Sequence, residues 1–160
     1  MKVTDFTLLL VEDDPNDIVL IQRTFAKASL VNPLRIVRDG EEAIHYLGGT
    51  QDYSDRTKYP LPSLVLLDLK LPRKSGLEVL DWIRQQPPLK NLPVIVLTSS
   101  KESRDINRAY ELGANSYLVK PVGFEGLLEM VKAIGMYWVI LNKGPDSSPQ
   151  RAPTSVPEMP

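Results

Sequence analysis

Apolar residues fall along this chain in two alternating rhythms. Leu8-Leu9-Leu10-Val11, Leu64-Val65-Leu66-Leu67 and Val94-Ile95-Val96-Leu97 are unbroken aliphatic runs of strand length. Leu34 to Val37 and Ser116-Tyr117-Leu118-Val119 are two further strand candidates. Continuous apolar runs read as strands buried on both faces, as in a parallel sheet. Between them the spacing becomes helical. Ile18, Ile21, Phe25 and Ala28 form a stripe over Pro15 to Ser29, with Pro15 suited to a first helical turn. Asp39, with Glu42 three residues on, marks a second helix start, and Gly48-Gly49 its end. Leu77, Leu80 and Ile83 place a third helix over Gly76 to Gln86, stopped by Pro87-Pro88. Two more are expected, over about Lys101 to Leu112, closed by Gly113, and over about Phe124 to Leu141. Residues 50–62, with Asp52, Asp55, Arg56, Lys58, Pro60 and Pro62, read as a polar surface loop. Strands alternating with helices in this way predict an α/β fold, a doubly wound five-stranded parallel sheet.

The residues that end the strands carry the chemistry. Open α/β sheets bind ligands outside the carboxyl ends of their strands. There Val11 runs into Glu12, Asp13 and Asp14, Leu67 into Asp68, Leu97 into Thr98, and Val119 into Lys120-Pro121. Acids, a hydroxyl and an ammonium are thus expected on one edge. Carboxylates gathered within a few ångströms repel one another, and a hard divalent cation such as Mg²⁺, which prefers oxygen ligands, offsets this. A Mg²⁺ with a lysine and a hydroxyl beside it suits a transferring phosphoryl group. A carboxylate can itself be the nucleophile and form an aspartyl phosphate. Asp68, alone at a central strand end, is the candidate; Asp14 reads as a solvated acid at a helix start.

Composition narrows the classes. The 160 residues with 42% hydrophobic content suit one domain, and a net charge of −1 leaves no electrostatic footprint for nucleic acid. Without cysteine there are no disulfides or thiolate metal sites. The apolar start, Phe6 to Val11, is too short for a signal-peptide core, and no run reaches membrane-spanning length, so the expected location is the cytoplasm.

Val11-Glu12-Asp13-Asp14, Leu67-Asp68-Leu69-Lys70-Leu71-Pro72 with Gly76, Leu97-Thr98-Ser99 and Tyr117-Leu118-Val119-Lys120-Pro121 together resemble the CheY-like receiver domain of two-component response regulators. The steps of 30 residues from Asp68 to Thr98 and 22 from Thr98 to Lys120 are those usual in that family. The resemblance covers about residues 5–142. It implies Asp68 as phosphoacceptor, with Mg²⁺ held by Asp13, Asp68, the backbone carbonyl of Lys70, and Glu12 directly or through water. It further implies Thr98 and Lys120 on the phosphoryl oxygens, a cis Lys120–Pro121 bond, and Tyr117 as the aromatic switch. The implied donor is the phosphohistidine of a sensor kinase. The single histidine of this chain, His45, falls mid-helix and reads as non-catalytic.

Two competing functions are weighed by residue. An aspartate-nucleophile phosphohydrolase needs a second acid two residues beyond the nucleophile, where this chain has Lys70. An interaction module that keeps the receiver shape without phosphorylation has no need of Asp13, Asp68, Thr98 and Lys120 together. The favoured expectation is therefore a response regulator that assists its own phosphorylation, not a turnover enzyme.

The last helix adds a clue. Leu127, Val131, Ile134, Trp138 and Leu141 can cover the sheet, yet Met136 to Leu141 is apolar on every side. Such a run wants burial on both faces. A homodimer through Tyr137, Trp138, Ile140 and Leu141 is expected. This aromatic end, with the loop containing Tyr53, Arg56 and Tyr59, resembles the stand-alone regulators paired with cyanobacterial and bacterial phytochrome kinases. Residues 143–160, rich in Pro and Ser, are expected to be a disordered tail after a receiver domain over 1–142, with no output domain following.

Overall fold

The computed structural model describes residues 6–143 and 145. Five parallel strands, β1 (Leu8–Val11), β2 (Leu34–Val37), β3 (Leu64–Leu67), β4 (Val94–Thr98) and β5 (Ser116–Val119), form one sheet in the order β2-β1-β3-β4-β5. Helices α1 (Pro15–Lys27), α2 (Gly40–Gly48), α3 (Gly76–Gln85), α4 (Ser103–Glu111) and α5 (Phe124–Ile134) connect them. The register aligns Val11 with Val37 and Leu67, and Thr98 with Val119. The strand ends therefore lie side by side along one edge.

Alternation within each strand splits the core into two layers. Leu9, Val11, Val65 and Leu67 face α2 and α3, where Leu80 and Ile83 are fully buried and Trp82 packs at the margin. Leu8, Leu10, Leu64 and Leu66 face α1 and α5, meeting Ile21, Phe25, Leu127 and Val131, with Trp138 at that margin. The expected α/β sheet, with helices on both faces, is what the chain forms.

Three local features refine or depart from the sequence reading. The 50–62 segment is the expected polar surface loop, but it is anchored to α2. Arg56 donates to the carbonyls of Tyr46 and Leu47, both at 2.7 Å, and so satisfies the open C-terminal end of α2. Tyr53 packs against both Tyr46 and Tyr59 with ring centroids 4.9 Å apart, and Tyr46 Oη donates to the Pro60 carbonyl. The final helix, expected to run to Leu141, is α-helical only to Ile134 and continues as a π-helical turn, Gly135–Leu141. The wider turn brings Val139 inward and leaves Met136, Tyr137 and Ile140 more than half exposed. Lastly, the Lys120–Pro121 bond is trans, with no cis peptide among the described residues. The trans form is the ordinary preference of an X–Pro bond, and Lys120 reaches the acidic edge from it. The tail assigned to 143–160 lies outside the described residues except at Lys143 and Pro145.

Candidate functional site

Ladder hydrogen bonds carry the sheet one residue past its strands and pin the residues of interest. Glu12 N donates to Val37 O at 3.0 Å, Asp68 N to Val11 O at 3.1 Å, and Lys120 N to Thr98 O at 2.7 Å. Each functional side chain thus leaves a backbone fixed by its neighbour strand. Asp14 turns the chain into α1: its Oδ1 accepts the Asn16 N–H at 2.9 Å, the side-chain cap of the helix. After β3, Gly76 N donates to Leu69 O at 2.8 Å, and a Cβ on Gly76 would lie 2.1 Å from the Asp68 carbonyl oxygen. Only glycine lets α3 start this close to the Asp68 backbone.

Glu12, Asp13 and Asp68 each present a carboxylate oxygen, all within 4.8 Å of one another. Glu12 and Asp68 are buried and Asp13 is exposed. Asp68 Oδ1 accepts the Leu69 N–H at 2.7 Å, while the exposed Lys70 brings its N–H to 3.5 Å. The other oxygen, Oδ2, faces Lys120 Nζ at 3.2 Å. The same ammonium meets Glu12 Oε1 at 2.6 Å and Asp17 Oδ2 at 2.9 Å. On the strand beside Asp68, Thr98 is fully buried and its Oγ1 has no hydrogen-bond partner. A buried hydroxyl left in this state at a sheet edge fits a ligand oxygen.

The electrostatics follow from the crowding. Burial pushes the Glu12 carboxyl up to about 7; the Lys120 hydrogen bond opposes this and the Asp68 charge adds to it. Burial alone would lower Lys120, but its hydrogen bonds to Glu12 and Asp17, with the Asp68 charge, hold it above its ordinary value. One ammonium therefore serves several carboxylates. The donor set of hard oxygens fits a divalent cation.

The edge also gathers the remaining sequence candidates, with exceptions. Tyr117 Oη donates to the Ser100 carbonyl at 3.0 Å and its N–H donates to Tyr110 Oη, so the ring is tied to the β4–α4 turn. Within that turn Ser100 Oγ donates to Asp105. Burial raises the Tyr117 phenol. His45 lies in the last turn of α2 and meets Thr50 Oγ1 at 2.9 Å, and it is not part of the Glu12, Asp13 and Asp68 cluster. Tyr137, Trp138 and Ile140 lie at the far end of α5, where Gly135 abuts Leu30, at the opposite edge of the sheet; the Leu141 side chain is outside the described residues. The sequence reading missed Asp17. An acid in a first helical turn looks like an ordinary complement to the helix dipole, and nothing local announces that Lys120 reaches it.

Known proteins resemble this chain in sequence and fold. Residues 8–132 match the response regulator receiver domain family. FilR2, a probable methanogenesis regulatory protein of Methanothrix harundinacea, is 40% identical over 144 residues, covering 88% of each chain. Response regulator Rcp1 of Synechocystis is 41% identical over 132 residues, 82% of this chain and 88% of its own. The crystal structure of Mn²⁺-bound Rcp1 matches with a TM-score of 0.80 at 39% identity, over 88% of this chain and 99% of that one. That of the phosphorylated cyanobacterial phytochrome response regulator RcpA matches with a TM-score of 0.82 at 38% identity, over 89% and 99%. Divalent metal binding belongs to the receiver family and agrees with the three carboxylates here. With a family match across residues 8–132, relatives about 40% identical over most of their length and the same overall fold as these structures, the chain belongs to the response regulator receiver family.

Proposed function

We propose that this receiver is a phosphorylation switch in which Asp68 takes a phosphoryl group from the phosphohistidine of a sensor kinase, with Mg²⁺ held by Glu12, Asp13, Asp68 and the Lys70 carbonyl. The observation that carries this reading is the pairing of Asp68 Oδ2 with Lys120 Nζ at 3.2 Å beside the unpartnered, buried Thr98 Oγ1. Asp68 Oδ2 attacks phosphorus, the P–N bond to the imidazole breaks, and its electron pair returns to the ring nitrogen. Lys120 and Thr98 then take the phosphoryl oxygens. When bound, Mg²⁺ offsets the combined negative charge of the carboxylates and the phosphoryl group. The added charge draws on Thr98, and Tyr117, tied to Ser100, relays the change to the face of α4 and β5.

The protein acts as a switch assisting its own phosphorylation and not as a turnover enzyme. Its working unit is residues 1–142, followed by the tail 143–160, and its place is the cytoplasm. The kinase assigned is a phytochrome, on the likeness to RcpA and its phytochrome role. The test is intact mass after incubation with acetyl phosphate. A Mg²⁺-dependent phosphoryl adduct is expected on the natural chain and none on Asp68→Asn. An adduct retained by Asp68→Asn would overturn Asp68 as the acceptor, and the absence of both an adduct and a beryllofluoride complex on the natural chain would put the interaction-module reading in its place.

The exposed apolar patch of Met136, Tyr137 and Ile140 supports a homodimer through the end of the last helix. Trp138, the neighbouring member of the expected interface, is half-buried and also packs against its own core. Ile140→Glu tests the patch without touching the core. Sedimentation should show the dimer reduced to a monomer, because a charge would be desolvated at the interface; an unchanged mass would remove this face from consideration.

A further inference from the structure

Lys120 is fully committed before any phosphoryl group arrives. An ammonium has three donors, and here Glu12, Asp17 and Asp68 accept them at 2.6, 2.9 and 3.2 Å. A phosphoryl oxygen on Asp68 can gain this lysine only if one partner lets go. The three are not alike. The Glu12 and Asp68 side chains are 1% and 9% exposed, whereas that of Asp17 is 34% exposed. Asp17 alone can exchange the ammonium for water at little cost. Its negative charge also suits its position in the first turn of α1, so it remains favourable there once released. Glu12, with the shortest of the three contacts, keeps Lys120 anchored when Asp17 departs.

We propose that Asp17 is a positioning residue that competes with the phosphoryl group on Asp68 for the Lys120 ammonium, and thereby lowers the affinity of the site for a phosphoryl group. The inference rests on the reading of Asp68 as acceptor. Two effects act in one direction. Asp17 holds a donor that the phosphoryl oxygen needs, and its charge repels the incoming dianion across the same ammonium.

The sign of one substitution separates this role from bracing. If Asp17 only steadied Lys120, its removal would loosen the lysine and weaken phosphoryl binding. If it competes, its removal strengthens binding. The experiment titrates beryllofluoride, a phosphoryl mimic, into the natural chain, Asp17→Asn and Asp17→Glu at saturating Mg²⁺, read by ¹⁹F NMR. Melting followed by circular dichroism establishes that each variant is folded. Asp17→Asn is expected to bind roughly three- to tenfold more tightly, as loss of a partly exposed like charge implies. Asp17→Glu, which restores charge and reach, should return to within about twofold of the natural chain. Equal or weaker binding by Asp17→Asn overturns the competing role while leaving Asp68 as acceptor. No complex with the natural chain overturns both.

Discussion

Gly76→Ala should destabilise the folded chain by about 3 kcal/mol or more and weaken Mg²⁺ binding about tenfold in what remains folded. The added Cβ would stand 2.1 Å from the Asp68 carbonyl oxygen and 2.7 Å from Leu69 Cα, both backbone atoms with no freedom to swing aside. Relief requires moving either the start of α3 or the exit of β3. The first breaks the Gly76 N–H bond to Leu69 O and disturbs the capping box in which Ser75 and Glu78 satisfy each other's backbone. The second displaces Asp68, whose N–H is held by Val11 O and whose Oδ1 accepts the Leu69 N–H. Urea denaturation and a Mg²⁺ titration of the same variant measure the two effects. Gly48 supplies the contrast. Its added Cβ would rest 3.6 Å from the Trp82 ring, an ordinary contact. Unaltered stability and metal affinity in Gly76→Ala would mean that the chain yields there at no cost.

Arg84→Met should cost about 3–5 kcal/mol, with no change in the metal affinity of the folded fraction. Arg84 leaves α3 at the sheet edge opposite the acids. Its Nη1 donates to the carbonyls of Leu92 at 2.7 Å and Lys90 at 3.1 Å, and its Nη2 to those of Gly113 at 2.8 Å and to Asn115 Oδ1 at 3.1 Å. Asn115 Oδ1 in turn accepts the Val94 N–H at 2.8 Å, so one guanidinium ties α3 to the segments that lead into β4 and β5. Methionine fills similar volume but leaves the part-buried carbonyls of Leu92 and Gly113 unpaired. Arg84→Lys retains the charge without the planar fork and should recover only part of the loss. The urea midpoints of both variants measure it; a midpoint shift below that of an ordinary surface substitution would show that the carbonyls find other partners.

The contrast between these two residues explains what the sequence could disclose. Gly76 lies within a motif, and Asp68, Thr98 and Lys120 each follow an apolar run, so the period of the strands announces them before any contact is known. The register then aligns Val11 with Leu67 and Leu67 with Val96, so that Asp68 and Thr98 leave neighbouring strands at one edge, which sequence order already implied. Arg84, Arg56 and Asp17 carry no such signal. Each is a charged residue on an amphipathic helix or in a polar loop, where solvation is the ordinary role, and each finds partners fixed by other elements. Asp17 meets a lysine 103 residues away. The π-helical turn after Ile134 was equally illegible, since an all-apolar run gives no periodicity to read. Sequence pattern discloses what repeats along the chain; single long side chains that cross between elements do not repeat.

The division of the core between the two faces of the sheet has an optical consequence. The chain has two tryptophans. Trp82 sits in the layer of α2 and α3, and Trp138 in that of α1 and α5. Tryptophan fluorescence, excited beyond the tyrosine band, is thus already sorted by layer, one emitter on each side of the β-sheet. A Trp138→Phe chain glows only from the first layer and a Trp82→Phe chain only from the second. Coincident fluorescence transitions from the two would identify the sheet as a single cooperative partition, and separated ones would reveal which side lets go first.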